Sequence, residues 1–390
     1  MKAAVYLHKI KQNTVRRGHP WIFPKAISKT KGKLVTGSLV DVFSDEGEFL
    51  ATGVYNEHSL YRVRVLCQSW ETVNNSSLAE IIAYRLRQAL AVRESLGLPN
   101  KDTSAYRLCN SEADGLSGLT IDRFNQISVV ASSALWVEAN KEIIKQTILK
   151  LLPDEKIVWL AQKKPLGQDG WTAEIEQVEP MTAQVLEAGV SYQVDFSQAQ
   201  KTGLFLDQRE NHQRIAALAK GKRVLDLYSY TGGFALHAAK AGAAKVIAVD
   251  SSAQAISQAE QNAVLNGISN IEFIEADARD YLQQAGDYDL VILDPPKLVP
   301  SQRHAEKAKN YYRFLHREIF KAMRPGSLLM TCNCSSALSA QDFSSLVSSQ
   351  APAAGKQVRV LGIFGPSSCH PTLAAFPEGS YLTAVLLAVI

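Results

Sequence analysis

The sequence predicts an α/β protein. Its C-terminal half reads as a doubly wound, Rossmann-like parallel sheet, preceded by a β-rich module and a mixed α+β region. Three observations predict this. Four successive apolar segments carry an aspartate at or just past their carboxyl ends: Asp226, Asp250, Asp277 and Asp294. The pair Gly232-Gly233 follows the first segment and opens an amphipathic helix. Near the N-terminus, short alternating runs are separated by turn residues, which suits a compact β-module.

The elements follow in chain order. Residues 1–72 form the β-rich module, with strands at 38–43 and 48–55 joined by Asp45-Glu46-Gly47, and a further strand at 61–66. Residues 71–77 read as a linker into a middle domain spanning 73–188. That domain is expected to hold a helix over 78–96 carrying Arg85, Arg87 and Arg93, a hairpin over 106–131 turning at Phe124-Asn125-Gln126, a helix over 136–152, a strand over 156–160 and a polar loop over 162–170. Residues 189–390 form the third domain. It enters by a strand at 190–195 and reaches the first buried strand of the main sheet at 224–228. Thr231, Gly232 and Gly233 then make a tight turn, and a helix over 234–241 stops at Gly242. A strand at 245–250, a helix over 253–266 and strands at 271–275 and 288–294 complete the repeating unit. A strand begins at Gly326, and segments 357–364 and 381–390 read as a terminal antiparallel pair.

Parallel strands bring their carboxyl ends to one edge, where open α/β sheets bind ligands. A carboxylate there can accept two hydrogen bonds from a ribose diol, and a glycine turn lets backbone approach a ligand closely. One aspartate at such an edge can simply cap the next helix. Four of them beside Gly232-Gly233 and Asp294-Pro295-Pro296-Lys297 argue for a nucleoside-bearing cofactor. The nicotinamide fingerprint, Gly-x-Gly-x-x-Gly after the first strand, is absent.

The chain has 390 residues, a net charge of +4 and five cysteines, Cys67, Cys109, Cys332, Cys334 and Cys369. The cysteine spacing does not suggest a zinc site, so no metal is expected. No run approaches a membrane span and the first residues lack a signal-peptide core, so a cytoplasmic protein with reduced thiols is expected. Charge is uneven: Lys2, Lys9, Lys11, Arg16, Arg17, Lys25, Lys29, Lys31 and Lys33 precede the first acidic residue. With His19, Trp21 and Phe23 interleaved, this block suits a polyanion whose bases can stack, and Arg16, Arg17, Trp21 and Lys25 are the candidate RNA contacts.

The array of strand-end acids resembles that of the class I S-adenosylmethionine-dependent methyltransferases. That resemblance implies that Asp250 holds the ribose and Asp277 the adenine, while Asp226, Gly232 and Gly233 lie toward the methionine end; Tyr228, Thr231 and Phe234 are further cofactor-binding candidates. Asp294 belongs to both the cofactor and the catalytic candidates. The run Gly37-Ser38-Leu39-Val40-Asp41-Val42, Gly47 and Ala51-Thr52-Gly53-Val54-Tyr55-Asn56 resembles a PUA domain, a compact RNA-binding barrel. At the far edge, Cys332 and Cys334 stand two apart at a strand end and could share one face. A thiolate there could add to C6 of a pyrimidine and make C5 nucleophilic.

Over nearly its whole length the chain resembles the RlmI-type family of ribosomal RNA large-subunit (cytosine-C5) methyltransferases. Gly18-His19-Pro20-Trp21-Ile22-Phe23, the segment from Asn110 to Asp122, Lys201-Thr202-Gly203-Leu204-Phe205-Leu206-Asp207-Gln208-Arg209, Asn333-Cys334-Ser335 and the segment from His370 to Gly379 carry the likeness. It implies S-adenosylmethionine as methyl donor, a large-subunit ribosomal RNA cytosine as acceptor, and a homodimer. Cys334 best matches the family nucleophile, with Cys332 in reserve, and Lys201, Thr202 and Arg209 would line the site mouth. Two alternatives stand: an RNA methyltransferase acting on guanine or another atom without covalent catalysis, and a non-catalytic RNA-binding assembly factor.

Overall fold

The computed structural model describes residues 3–174, 179, 181–196, 203–297 and 305–390. The chain divides into two compact units. The first comprises Met1–Ala183, Val194–Gly203 and Cys369–Gly379; the second comprises Gln184–Gln193, Leu204–Ser368 and Ser380–Ile390.

In the first unit, the expected β-rich module is a six-stranded sheet ordered Trp21–Ile22, Val63–Gln68, Phe49–Tyr55, Leu39–Ser44, Ala3–Leu7 and Ile27–Lys31. Val5, Leu7, Val40, Val42, Leu50 and Val63 form its core. The expected middle domain supplies a four-stranded sheet, Lys156–Ala161, Ile127–Ser132, Leu119–Phe124 and Ala105–Asn110. Asn125 makes its tight turn at φ +57°. The helix Leu78–Ser95 starts at a capping box, where the Ser77 and Glu80 side chains and backbones bond reciprocally.

Three expectations change here. Residues 71–77 are pinned rather than linker-like, because Glu71 accepts from Arg85 at 2.6 Å. The helix expected over 136–152 is broken at Asn140 into Leu135–Ala139 and Lys141–Leu151. The polar stretch 162–170 contains a helix, Lys163–Gln168, instead of a loop. Leu166 anchors that helix by complete burial. Pro165 sits in the first turn, where a missing N–H removes no helical bond.

The second unit holds a seven-stranded sheet in the order Ile271–Glu275, Lys245–Asp250, Arg223–Leu227, Leu290–Leu293, Leu328–Asn333, Thr383–Val389 and Val358–Phe364. The first five are parallel, and Thr383–Val389 runs antiparallel to both of its neighbours. The inner parallel strands, Lys245–Asp250, Arg223–Leu227, Leu290–Leu293 and Leu328–Asn333, are mostly apolar on both sides because both faces are covered, while the edge strands Ile271–Glu275 and Val358–Phe364 are half-buried or exposed. The layer with Ile215 from helix Arg209–Ala219 and Ala235 and Ala238 from helix Gly233–Lys240 lies on one face. Tyr312, Leu315 and Ile319 from helix Ala305–Ala322 and Phe343 from helix Ala340–Ser348 lie on the other. The strand order reverses between Arg223–Leu227 and Leu290–Leu293, so the crevice at their carboxyl ends is the topological switch point. Among the described residues, no helix is long and apolar enough to cross a membrane.

Candidate active site

The Gly corner lies over the switch point and is unusually constrained. Tyr228, Tyr230 and Gly232 have φ of +66°, +49° and +85°. Left-handed geometry costs a non-glycine residue about 1–3 kcal/mol, and such strain concentrates at functional sites. A Cβ on Gly233 would come within 2.6 Å of the His212 ring, so glycine is required there. Asp226 is completely buried; its Oδ2 accepts from the Ala235 N–H at 3.0 Å, while Oδ1 has no hydrogen-bond partner. Burial first, and the Asp294 carboxylate second, push the Asp226 carboxyl up to about 8.

Asp250 and Asp277 face a wetter edge. The Asp250 carboxylate accepts from the backbone N–H groups of Tyr230 and Ser252, both at 2.9 Å. Each oxygen keeps a lone pair, as a diol contact needs. Asp277 caps the short helix Ala278–Asp287 by accepting from the Arg279 N–H at 2.9 Å. The Arg279 guanidinium pairs with the same carboxylate, and these bonds hold Asp277 below the usual carboxylate range. Capping is therefore real at Asp277, whereas Ser252 caps the helix that follows Asp250, and both acids keep an open carboxylate edge.

Asp294 ends the fourth strand and accepts from Gln208 Nε2 at 3.0 Å. Gln208 is itself fixed, since its Oε1 accepts from Asn211 at 2.6 Å. Asp207 adds a brace, accepting from the Tyr381 hydroxyl at 2.7 Å. Cys332 and Cys334 do not share a setting. Cys332 lies within the strand Leu328–Asn333, fully buried on the Met330–Ala384 face. Burial, and next the Asp294 carboxylate, drive its thiol well above the ordinary range. Cys334 has left the strand and is half-buried. The strand ends because the Asn333 side chain turns back to donate to the Ser335 carbonyl at 3.1 Å. Tyr312, on helix Ala305–Ala322, donates to Asn333 Oδ1 at 3.2 Å. His316 holds the next turn of that helix to Thr331 at 2.8 Å; burial lowers its pKa to about 4, so it is neutral at pH 7.

The structure thus brings Asp226, Tyr228, Thr231, Gly232, Asp250, Asp277, Asp294 and Cys334 to one sheet edge. Phe234 departs from its expected place. It is 4% exposed and sits in the helix-side core, edge-on to His212 at 4.5 Å, so only its backbone belongs to the corner. Arg209 is buried at the start of its helix, with Nη1 lacking a hydrogen-bond partner. Lys201 and Thr202 lie outside the described residues. In the N-terminal module Arg16, Arg17 and Lys25 are exposed, and Arg16 pairs with Glu48. Trp21 is committed internally: its indole N–H donates to Glu112 at 3.0 Å and its ring stacks on Tyr61 at 3.9 Å. Sequence reasoning alone misses Gln208, Tyr312 and Asn333 as individuals. Gln208 stands in a segment that carries the family likeness, so that segment is the available signal.

A cationic nucleoside fits these donors. The open Asp226 oxygen can meet a positive group, the glycine corner leaves room for it, and Asp250 presents acceptors to a diol. Comparison with known proteins agrees. Residues 159–360 match a family described as S-adenosylmethionine-dependent methyltransferase, and residues 5–68 match a PUA-like domain. A relative from Aeromonas hydrophila named ribosomal RNA large subunit methyltransferase I is 35% identical, covering 99% of both chains. A protein of the same name from Alteromonas mediterranea is 34% identical, covering all of this chain and 99% of its own. A methyltransferase structure solved with SAH superposes with a TM-score of 0.82 at 20% identity over the full length of both chains, a likeness of fold. The chain therefore belongs to the S-adenosylmethionine-dependent methyltransferases, in the family of the ribosomal RNA large subunit methyltransferase I proteins, and carries a PUA-like domain.

Proposed function

We propose that this protein methylates C5 of a cytosine in large-subunit ribosomal RNA through a covalent bond to Cys334. The observation that carries this is the contrast between the two cysteines. Cys332 is sealed in the core with its thiol pushed up, whereas Cys334 stands past the strand end, half-buried, at the edge that gathers the cofactor residues. The relatives' names support large-subunit ribosomal RNA as the acceptor.

The cofactor supplies an electrophilic methyl group on a sulfonium when bound. The chain supplies the rest. The Cys334 thiolate adds to C6 of the base, and the C5=C6 π electrons move toward C5, which becomes nucleophilic enough to be methylated. Asp294, held by Gln208, accepts a hydrogen bond from the base edge and fixes the ring for that addition. Loss of the C5 proton to a base then restores the double bond and expels the thiolate. Tyr312 and Asn333 hold the Cys334 turn in place. Arg16, Arg17 and Lys25 contribute phosphate contacts on the PUA-like module. Trp21 is not assigned a base, because one of its faces already lies on Tyr61.

RNA containing 5-fluorocytosine tests this reading. Fluorine cannot leave as the C5 proton does, so the parent enzyme should accumulate a stable protein–RNA adduct. Cys334→Ala should form none, and Cys332→Ala should still trap RNA. Trapping by Cys334→Ala but not by Cys332→Ala would move the nucleophile. Methyl transfer by both variants would leave the non-covalent reading on guanine or another atom in its place.

A further inference from the structure

Beneath the Gly corner lies a polar cluster that the methyl-transfer chemistry does not use. Glu187 from the strand Thr182–Glu187, His212 from helix Arg209–Ala219 and His237 from helix Gly233–Lys240 converge, with their donor atoms all within 4.8 Å of one another and all three residues buried. His212 Nδ1 is 2.7 Å from Glu187 Oε1, and His237 Nε2 is 3.3 Å from the same oxygen. The surroundings are apolar, with Ile215, Phe234, Ala235 and Ala238 in the same layer.

We propose that Glu187, His212 and His237 bind one divalent transition-metal ion of the zinc class, and that the Tyr192 hydroxyl completes the site directly or through a water. Two imidazoles and a carboxylate are the ligand types that such an ion takes, in number and kind. Metal–ligand bonds of about 2.0–2.1 Å in a tetrahedron place donors about 3.3–3.4 Å apart. The Glu187–His237 separation already has that value. The Glu187–His212 separation has to open by about half an ångström while the ring shifts its proton to Nε2.

A simple ion pair accounts for less. One imidazole is enough to partner a buried carboxylate, yet a second points at the same oxygen. Its Nε2 is buried without an aligned hydrogen bond, and so is the Tyr192 hydroxyl, whose ring lies 6.4 Å from that of His237. Leaving such atoms unsatisfied in an apolar layer is costly, and a shared ion satisfies them together.

The ion would tie three separate segments together directly below the cofactor loop. The His212 ring is the surface against which Gly233 packs, since any Cβ there would lie 2.6 Å from it. Metal loading should therefore steady the corner and tighten cofactor binding, although the ion touches no reacting atom.

Elemental analysis of the full-length protein, produced with added zinc or cobalt and passed through a desalting column, decides the question. About one equivalent of metal per chain is expected. The cobalt form should show visible d–d absorption typical of four-coordinate N/O ligation. A strong chelator should lower the thermal midpoint of the parent. Glu187→Gln and His237→Gln, which keep side-chain volume and a polar end, should carry little metal and lose the chelator response. Tyr192→Phe should keep the metal but change the cobalt spectrum. Less than about a tenth of an equivalent in the loaded parent, measured without any variant, overturns the proposal. Undiminished metal in both Glu187→Gln and His237→Gln overturns it equally.

Discussion

The carboxyl edge of the large sheet has a dry side and a wet side, and the same residue behaves differently on each. On the dry side, Asp226 is fully buried, has an unpartnered oxygen and has its carboxyl pushed up to about 8 by burial and by Asp294. On the wet side, Asp277 is largely solvated and held below the usual range by Arg279. The difference teaches that a strand-end aspartate is a position, not yet a charge. Asp226 and Cys332 are sealed in the dry half, whereas Asp250 and Asp277 stay half-buried in the wet half; on the function proposed above, the first borders the chemistry and the second recognises a polar nucleoside.

The largest expected effect lies on the dry side. Asp294→Asn keeps an acceptor for Gln208 but removes the charge. If Asp294 orients and polarises the base, turnover should fall by about 10²–10³-fold, within the range seen for positioned acid–base groups. Cofactor affinity should change by no more than about threefold, roughly the effect of one solvated contact. Single-turnover kinetics beside calorimetry separate the two. A parallel loss of binding would mean that Asp294 serves the cofactor more than the base.

The next effect is a pH dependence. The folded state holds a proton on Asp226 up to about pH 8, whereas the unfolded chain releases it near the ordinary aspartate value of 3.8. The folded state therefore binds more protons between these values, and stability must fall as pH rises through that window. The contribution is present in full below the unfolded pKa and is lost once pH passes about 8. Its size is up to about 6 kcal/mol, since each pH unit between the two values is worth roughly 1.4 kcal/mol. Asp226→Asn, neutral at every pH and still able to accept from Ala235, should remove this slope when denaturant titrations of the two proteins are subtracted. Identical slopes would show that water or a nearby cation reaches Asp226 in the folded protein. Because a cationic cofactor favours the carboxylate, binding near pH 7 should also release a proton, visible as a buffer-dependent calorimetric enthalpy.

On the wet side, Asp250→Ala should weaken cofactor binding about tenfold or more, as expected for loss of hydrogen bonds to a charged group worth about 1.5–3 kcal/mol. The same substitution frees the Tyr230 and Ser252 N–H groups, so Asp250→Asn is the gentler control. An unchanged affinity in both variants would take the ribose away from Asp250.

This contrast also marks what the sequence could reveal. The strands at Arg223–Leu227 and Lys245–Asp250 follow their apolar runs closely, because local pattern goes far to decide a buried parallel strand. The acids and the Gly corner were legible for the same reason: each is a fixed offset from such a strand. What was not legible depends on distant partners. That Cys332 is sealed and Cys334 is not follows from Asn333, which turns the chain by bonding to Ser335 and Tyr312. Gln208 acquires its role from Asp294, 86 residues further along the chain. The Glu187–His212–His237 cluster joins residues with no motif spacing, so counting cysteines and histidines along the chain could not find it. Phe234 and Trp21 failed in the opposite way. Aromatic residues beside a motif are as readily core as contact, and only burial and ring partners separate the two.

The smallest expected effect tests the wet side most directly. Asp277 is expected to meet the adenine, but Arg279 already engages its carboxylate through both guanidinium and backbone. A cofactor that binds there gains only what exceeds the solvated ion pair it perturbs. Asp277→Asn should therefore weaken binding by about threefold or less, well short of the Asp250→Ala effect. Raising the salt concentration should shrink the difference further, because exposed charges are screened. Arg279→Ala supplies the other arm of a double-mutant cycle. If the arginine merely shares the carboxylate, its removal should leave affinity unchanged or slightly tighter, and the double variant should match Asp277→Asn. A loss of tenfold or more in Asp277→Asn, measured by calorimetry at physiological salt, would show that the cofactor dehydrates this acid on binding. The wet side would then become dry in the complex, and the contrast between the two halves would belong to the ligand-free protein alone.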